Sequence, residues 1–215
     1  MPITVDNISM SYKKKKGRLT EVISGRSFSA QSGKLTLITG RSGSGKTTLV
    51  NILSGLLRPT EGKVFYGATD IYALDDRELS RFRNEQIGCI PQGQSALLSL
   101  TVFENVLLPS AVYTAGGNRE RALALLDEVG LGKLTDSYPD ELSGGELRRL
   151  SIARALINEP SVIFADEPTN DLDDENAKSV LQLLRHIADS GKTVITVSHE
   201  ALTHEFADVC IHIGS

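Results

Sequence analysis

An eight-residue segment, Gly40–Thr47, has the composition of a loop that binds phosphate groups. Its sequence, GRSGSGKT, fits G-x-x-x-x-G-K-[ST] at every fixed position. Glycines let consecutive backbone N–H groups turn toward one anion, and a helix that starts there adds partial positive charge. Lys46 can neutralise the β- and γ-phosphates, and the Thr47 hydroxyl can ligate magnesium. The residues that we predict to bind a nucleotide here are Gly40, Ser42, Gly43, Ser44, Gly45, Lys46, Thr47 and Thr48.

Two acidic residues follow an apolar strand further along the chain. Val162–Ala165 is predicted to be that strand, and Asp166 and Glu167 come directly after it. A magnesium ion prefers hard oxygen ligands such as a carboxylate, so Asp166 is predicted to hold the ion. Glu167 could polarise the attacking water as a general base. Without the phosphate loop, the same acidic pair would be read as a helix cap or a turn.

Two further side chains are placed at the ends of predicted strands. His199 follows Thr193–Val197, and its imidazole can hydrogen-bond a γ-phosphate and orient the base. Gln92 follows Ile87–Pro91, and its amide can contact the metal and the water together. Each is a weak signal alone, because a loop histidine or glutamine is usually just solvated.

The segment Leu142–Glu146 (LSGGE) has the S-x-x-E form of a capping box. Its free N–H groups and the Ser143 hydroxyl are donors that suit a γ-phosphate. The same sequence fits an ordinary capped helix start. Because Glu146 would add negative charge close to such a phosphate, we predict that it serves the cap and not the nucleotide.

The elements that must position these residues indicate an α/β fold. The phosphate loop lies between the predicted strand Leu35–Thr39 and the helical Thr48–Leu53, which is the context that its mechanism needs. Ile3–Phe28 and Lys63–Tyr66 read as short strands of a flanking antiparallel sheet. Capping signals at Thr101, Asn118 and Ser143 predict helices, and a last helix is predicted from Asp174 to Ser190.

We therefore predict one domain, 1–215, with a mostly parallel sheet whose strands hold ligands at their carboxyl ends. Residues 1–92 and 158–215 form the nucleotide-binding core with its antiparallel part, and residues 93–157 form an inserted helical subdomain.

The composition describes an ordinary globular chain: 215 residues, 40% of them hydrophobic, with a net charge of −4. This charge gives no basic footprint, so nucleic acid is not expected as a partner. The run Lys13–Lys16 is read as a solvated loop, the alternative being a nucleic-acid or lipid-headgroup site. No window is apolar enough to span a membrane and no signal peptide is evident, so a cytoplasmic location is expected. Cys89 and Cys210 are expected to be buried, reduced thiols.

Taken together, these motifs resemble the nucleotide-binding subunit of ATP-binding cassette (ABC) transporters over nearly the whole chain. The resemblance implies an ATPase that uses ATP and Mg²⁺, with Thr47, Gln92 and Asp166 at the metal. It also implies that Tyr12 stacks on adenine, the alternative being a plain strand tyrosine. Two copies would pack head to tail as a homodimer. The residues implied to act between the copies are Ser143, Gly144 and Gly145 at the partner's ATP, and Asp173 in the interface. Glu146 is a departure, since the family usually has Gln there.

Three further segments resemble the lipoprotein-releasing, macrolide-export and cell-division branch: Arg83–Gly88, Leu100–Val106 and Pro168–Asp173. That branch implies an exporter-type or mechanical role through a separate transmembrane permease, with this subunit on the inner face of the cell membrane. Asn170-Asp171 differs from the Gly-Asn more usual in this branch. Two alternatives remain, a soluble ABC ATPase of a scaffold or assembly system such as iron–sulfur cluster assembly, and a regulatory cassette that hydrolyses ATP poorly.

Overall fold

The computed structural model describes residues 1–13, 19–41, 43–113 and 116–214, which form two sheets with helices packed on them. The strands are β1 (Ile3–Lys13), β2 (Leu19–Ala30), β3 (Leu35–Thr39), β4 (Glu61–Tyr66), β5 (Thr69–Asp70), β6 (Ile87–Ile90), β7 (Val162–Asp166), β8 (Thr193–Val197) and β9 (Val209–His212). The helices are α1 (Lys46–Leu53), α2 (Asp76–Gln86), α3 (Val102–Ala111), α4 (Arg119–Glu128), α5 (Gly144–Leu156), α6 (Asp174–Asp189) and α7 (Ala201–Phe206). Ser42 and most of the lysine run, Lys14 to Lys16, lie outside the described residues.

A four-stranded antiparallel sheet has the order β2-β1-β4-β5, which confirms the predicted flanking sheet. The prediction of short strands was wrong, because β1 and β2 run for 11 and 12 residues. Their pairing shifts register between Val5 and Ser11, and these irregularities absorb Gly25 and the serines without ending either strand.

The predicted parallel sheet is confirmed, with the order β6-β7-β8-β3-β9. Its described strand pairs are all parallel, and Asp166 lies opposite Val197 in the register of β7 and β8. Because β6, β7, β8 and β3 are successive neighbours, the loops at their carboxyl ends lie side by side along one edge of the sheet.

Both faces of the parallel sheet are covered, which explains the largely apolar and β-branched sequences of its strands. In β7, Val162 and Phe164 pack into a core shared with α1 and the antiparallel sheet. Ile163 and Ala165 alternate with them and pack into a second core with α3, α4, α5 and α6. The helical segment, which comprises α3, α4 and α5, therefore packs into the same core as the parallel sheet.

The helix starts follow the predicted capping signals. Thr101 and Ser143 each form a capping box with the glutamate three residues on, and Asn118 accepts from the Arg121 N–H. The helix α6 ends at Asp189, one residue before the predicted Ser190, and Gly191 follows in the left-handed region at φ 95°.

The two cysteines correct one expectation. Both are free, as predicted, but both are exposed. Cys89 belongs to β6 and Cys210 to β9, the two edge strands of the parallel sheet, where one side of a strand lacks a neighbour. None of the helices in the described parts of the chain has the length and apolar character needed to cross a membrane.

Candidate functional site

An open cavity of about 670 Å³ lies at the carboxyl edge of the parallel sheet. We call it the phosphate cavity. It collects residues that follow four neighbouring strands: the Gly40–Thr47 loop after β3, Gln92 after β6, Asp166 and Glu167 at β7, and His199 after β8. Residues that are far apart in the sequence therefore meet because their strands are adjacent.

The loop after β3 leads into α1 with uncapped backbone donors. Gly45 is the N-cap at φ 92°, and no side chain of the described residues caps this helix start. A side chain at Gly45 would be strained there and would also lie 2.9 Å from Val22 Cγ1, so only glycine fits. The first-turn N–H groups of α1 and its dipole thus create a site for an anion at this end of the cavity.

Lys46 lies across the phosphate-binding loop. Its Nζ donates to the carbonyl oxygens of Gly40 at 2.9 Å and Arg41 at 3.1 Å. These contacts hold the ammonium group over the loop, where a phosphate can replace the carbonyls as its partner.

Asp166 and Thr47 supply oxygen atoms that suit a hard cation. The Thr47 hydroxyl donates to Asp166 Oδ2 at 3.2 Å, while the buried Oδ1 of Asp166 has no hydrogen-bond partner among the described residues. Burial, opposed by the Thr47 bond and aided by the nearby Glu167 charge, raises the pKa of Asp166. An unpartnered carboxylate oxygen next to a hydroxyl fits a Mg²⁺ site. A bound cation would offset the free-energy cost of burying the charged form of Asp166.

Glu167 and His199 form a pair at the cavity. The His199 Nδ1 lies 3.0 and 3.2 Å from the two carboxylate oxygens of Glu167. Glu167 is nearly buried, with a side chain 11% exposed, whereas that of His199 is 66% exposed. A carboxylate can only accept, so the proton of this bond belongs to Nδ1, and Nε2 remains available to another group.

The backbone around this pair is held by its own hydrogen bonds. Glu167 adopts a left-handed conformation at φ 46°, and its N–H donates to the Val197 carbonyl at 2.9 Å. The residue after His199, Glu200, accepts a hydrogen bond from the buried Thr169 hydroxyl. A strained backbone that is secured in this way is typical of functional loops.

The Leu142–Glu146 segment forms the predicted cap, and Glu146 points back to it. Its carboxylate accepts from the Ser143 N–H at 2.8 Å and from the Ser143 hydroxyl at 2.7 Å. These bonds lower the pKa of Glu146. Close packing explains one of the glycines, since a Cβ on Gly145 would lie 2.2 Å from Asn176 Oδ1.

Several predicted site residues do not line the phosphate cavity. Tyr12 is 42% exposed on β1 opposite Thr20, and Asp173 caps α6 by accepting from the Asn176 N–H at 2.9 Å. The others outside the lining are Ser44, in the phosphate-binding loop itself, and Ser143, Gly144 and Gly145. Their proposed roles need a partner or a nucleotide and stay predictions.

Two residues that line the cavity were not predicted from the sequence, Val22 on β2 and Arg41 in the loop. Val22 gives no chemical signal in the sequence, because it reaches the site only through the packing of β2 on Gly45. Arg41 occupies a variable position of the motif, so the pattern itself says nothing about it.

A phosphate-binding loop between a strand and a helix, with an acidic pair on a neighbouring parallel strand, defines a P-loop nucleoside triphosphatase. Comparison with known families narrows this class. The family model described as ABC transporter matches residues 23–170, and the chain belongs to that family as an ATP-binding ATPase.

Named relatives and solved structures agree with this assignment. The chain is 40% identical to a lipoprotein-releasing system ATP-binding protein, LolD, of Treponema denticola, covering 85% of this chain and 82% of the relative. It is also 40% identical to the cell division ATP-binding protein FtsE of Escherichia coli K12, covering 84% and 82%. The dimeric ATP-binding cassette MJ0796, solved in a post-hydrolysis state with ADP and phosphate, superimposes with a TM-score of 0.88 at 33% identity, covering 98% of this chain and 94% of MJ0796.

Proposed function

We propose that this protein is the ATPase subunit of a membrane ABC transporter of the exporter or mechanical type, dimerising head to tail around two ATP molecules. The observation that carries the proposal is the phosphate cavity, which joins loop, acidic pair, glutamine and histidine from four adjacent strands. Each copy would bind its own ATP there and drive a separate transmembrane permease.

Binding uses groups that are already directed to the cavity. The γ-phosphate replaces the Gly40 and Arg41 carbonyls as the partner of Lys46, and the α1 N–H groups donate to the phosphate oxygens. Thr47, Asp166 and Gln92 would hold Mg²⁺, which neutralises charge on the phosphates.

Hydrolysis needs a base and a group that orients it. The oxygen of water bonds to the γ-phosphorus, the bond to the bridging oxygen breaks, and its electron pair leaves with ADP. Glu167 takes the proton from the water, giving ADP and inorganic phosphate. His199 fixes the Glu167 carboxylate through Nδ1 and presents Nε2 to the γ-phosphate.

Dimerisation is supported by the position of the Leu142–Glu146 segment outside the phosphate cavity of its own chain. Ser143 and Gly144 are exposed at the start of α5 and do not line the cavity of their own chain. The positive end of the α5 dipole, with Ser143 and Gly144 exposed there, suits an anion presented by another molecule, and the similar MJ0796 cassette is dimeric. A second copy of this chain offers such an anion in its bound ATP.

A membrane partner is supported by exposed apolar side chains along the helical segment. Leu97 and Leu98 precede α3, while Val112 and Tyr113 follow it, and all four are between 45% and 63% exposed. Pairs of exposed apolar side chains at the two ends of one helix are candidate contacts for another protein. The names of LolD and FtsE favour a transport or cell-division assembly over a soluble scaffold role.

The test is Glu167→Gln. Loss of the general base should lower the turnover of ATP by about 10²- to 10⁴-fold while leaving ATP binding intact. The variant should therefore accumulate as an ATP-bound dimer in size-exclusion chromatography. Normal turnover would remove Glu167 from the role of base, and an ATP-bound monomer at high protein concentration would contradict the head-to-tail dimer.

A further inference from the structure

Two arginines of α5 are withdrawn from solvent without an acidic partner. Arg148 is 6% exposed and Arg154 is half-buried. Among the described residues, no carboxylate lies within ion-pair distance of either guanidinium. Burial lowers the pKa of both side chains, opposed at Arg148 by the charge of Asp171. Burying a charge without a partner costs free energy, so the groups that these arginines bind in place of a carboxylate indicate their role.

Both arginines bind the segment that carries Gln92. Arg148 Nη1 donates to the Pro91 carbonyl at 2.9 Å, and Arg154 Nη1 donates to the Ser95 carbonyl at 2.7 Å. Arg154 Nη2 also donates to the Ser95 hydroxyl. The segment Pro91–Ser95 is thus fixed to α5 at both of its ends.

The residues between these two anchors are exposed. Gln92 lines the phosphate cavity, and Gly93 follows in the left-handed region at φ 72° with no atom within 4 Å of a Cβ built there. Besides the arginine contacts, the Ser95 hydroxyl lies 3.4 Å from the Ser151 hydroxyl of α5. Among the described residues, the two guanidinium groups therefore supply most of the hydrogen bonds that join this stretch to α5.

We propose that Arg148 and Arg154 are positioning residues for Gln92. They make Pro91–Ser95 move together with α5, the helix that begins at Ser143. A partner's ATP that binds at Ser143 and displaces α5 would then also shift Gln92 in the phosphate cavity of the same chain. This inference rests on the proposed function, because that function gives Ser143 and Gln92 their roles.

A double-mutant cycle separates positioning from general stability. Arg154→Gln should lower ATP turnover about fivefold to tenfold in the otherwise native chain, and less than about twofold when Gln92 is already alanine. Ser95→Ala removes one acceptor and should show the same dependence on Gln92 with a smaller effect. The control is Arg81→Gln on α2, where the side chain is 70% exposed. It should change turnover less than about twofold in both backgrounds.

Hydrogen exchange of the nucleotide-free chain gives a readout that needs no turnover. Amides in Gln92–Ala96 should exchange about tenfold faster in Arg154→Gln, and at the native rate in Arg81→Gln. Unchanged exchange, or equal losses of turnover in both backgrounds, would overturn the inference. Full activity of Gln92→Ala alone would instead overturn the proposed role of Gln92. If Arg154→Gln does not fold, Ser95→Ala carries the same comparisons.

Discussion

The hydrogen bonds of Glu146 predict what happens when its charge is removed. In the nucleotide-free chain, its carboxylate accepts from both the N–H and the hydroxyl of Ser143. Both donors bind one oxygen, Oε2, so Glu146→Gln keeps a side-chain oxygen for them and removes the negative charge. The substitution therefore tests whether Glu146 stabilises the start of α5 or opposes the approach of a phosphate.

The expected loss of stability follows from the two bonds. A hydrogen bond to a charged group contributes about 1.5–3 kcal/mol and a neutral one about 0.5–1.5 kcal/mol. A carboxylate in the first turn also gains about 0.3–1 kcal/mol from the helix dipole. Because the cap lies at the surface, where water screens these terms, the low end applies. We expect Glu146→Gln to lower the free energy of unfolding by about 1 kcal/mol, or the Tm by about 2–4 °C.

The pH dependence has a defined sign. The pKa of Glu146 is lowered in the folded chain from an ordinary value of 4.5, so the carboxylate contributes stability above that pH. This contribution is lost as the pH falls through the folded-state pKa. The difference in unfolding free energy between the native chain and Glu146→Gln should therefore shrink below about pH 4.5.

Urea unfolding of the nucleotide-free protein and ATP turnover measure the two effects separately. We expect turnover to change less than tenfold, since Glu146 is engaged with the cap. Glu146→Ala is the matched control, because it removes the oxygen that accepts both hydrogen bonds and should destabilise the chain more than Gln. A rise in turnover of more than tenfold with unchanged stability would refute this reasoning and show that the charge opposes dimer closure.

Three further substitutions test other contacts. Gly145→Ala places a Cβ against Asn176 and should lower the free energy of unfolding in urea by about 1–3 kcal/mol. When Asn176 is also alanine, the same substitution should cost less than about 1 kcal/mol. Equal costs in both backgrounds would exclude that contact as the cause. Hydrogen bonds from Leu35, Arg185 and Lys34 outweigh burial and lower the pKa of Asp208 to about 2. Asp208→Asn should therefore cost about 1 kcal/mol at pH 7, after screening, and this difference should vanish between pH 4 and pH 2; a difference independent of pH would contradict it. Asn105→Ala removes a fully buried amide that forms hydrogen bonds with the backbone of Leu97, Leu100 and Thr101. It should lower the free energy of unfolding by about 2–4 kcal/mol. A loss below about 1 kcal/mol would show that the amide is not needed there.

Much of the fold was predictable because its signals are local. The strand before Gly40 is rich in leucine, isoleucine and threonine, and the segment before Asp166 is a continuous apolar run. The capping boxes at Thr101 and Ser143 are read directly from two residues each. The order β6-β7-β8-β3-β9 was not predictable from such signals. Only that order explains why Gln92, Glu167 and His199 meet.

The parts that the sequence did not predict depend on contacts between distant segments. Cys89 looked like a core residue because its strand is apolar, but it is exposed on an edge strand, and edges are a property of the whole sheet. Nothing in the sequence marks Arg148 and Arg154 as arginines that are withdrawn from solvent. Their partners, Pro91 and Ser95, are backbone and hydroxyl groups with no pattern that points to an arginine.

The contact between α5 and α6 connects two separate predictions about the dimer. Asn176 donates from Nδ2 to Asp173 Oδ2 at 2.7 Å, and its Oδ1 is the atom that a Cβ on Gly145 would meet. Gly145 and Asp173 therefore lie on either side of one amide within a single chain. A second copy that covers the start of α5 must come close to Asp173 as well, because only the Asn176 side chain separates them. The resemblance implied that both residues act between the two copies, and their proximity means that one contact surface can include both.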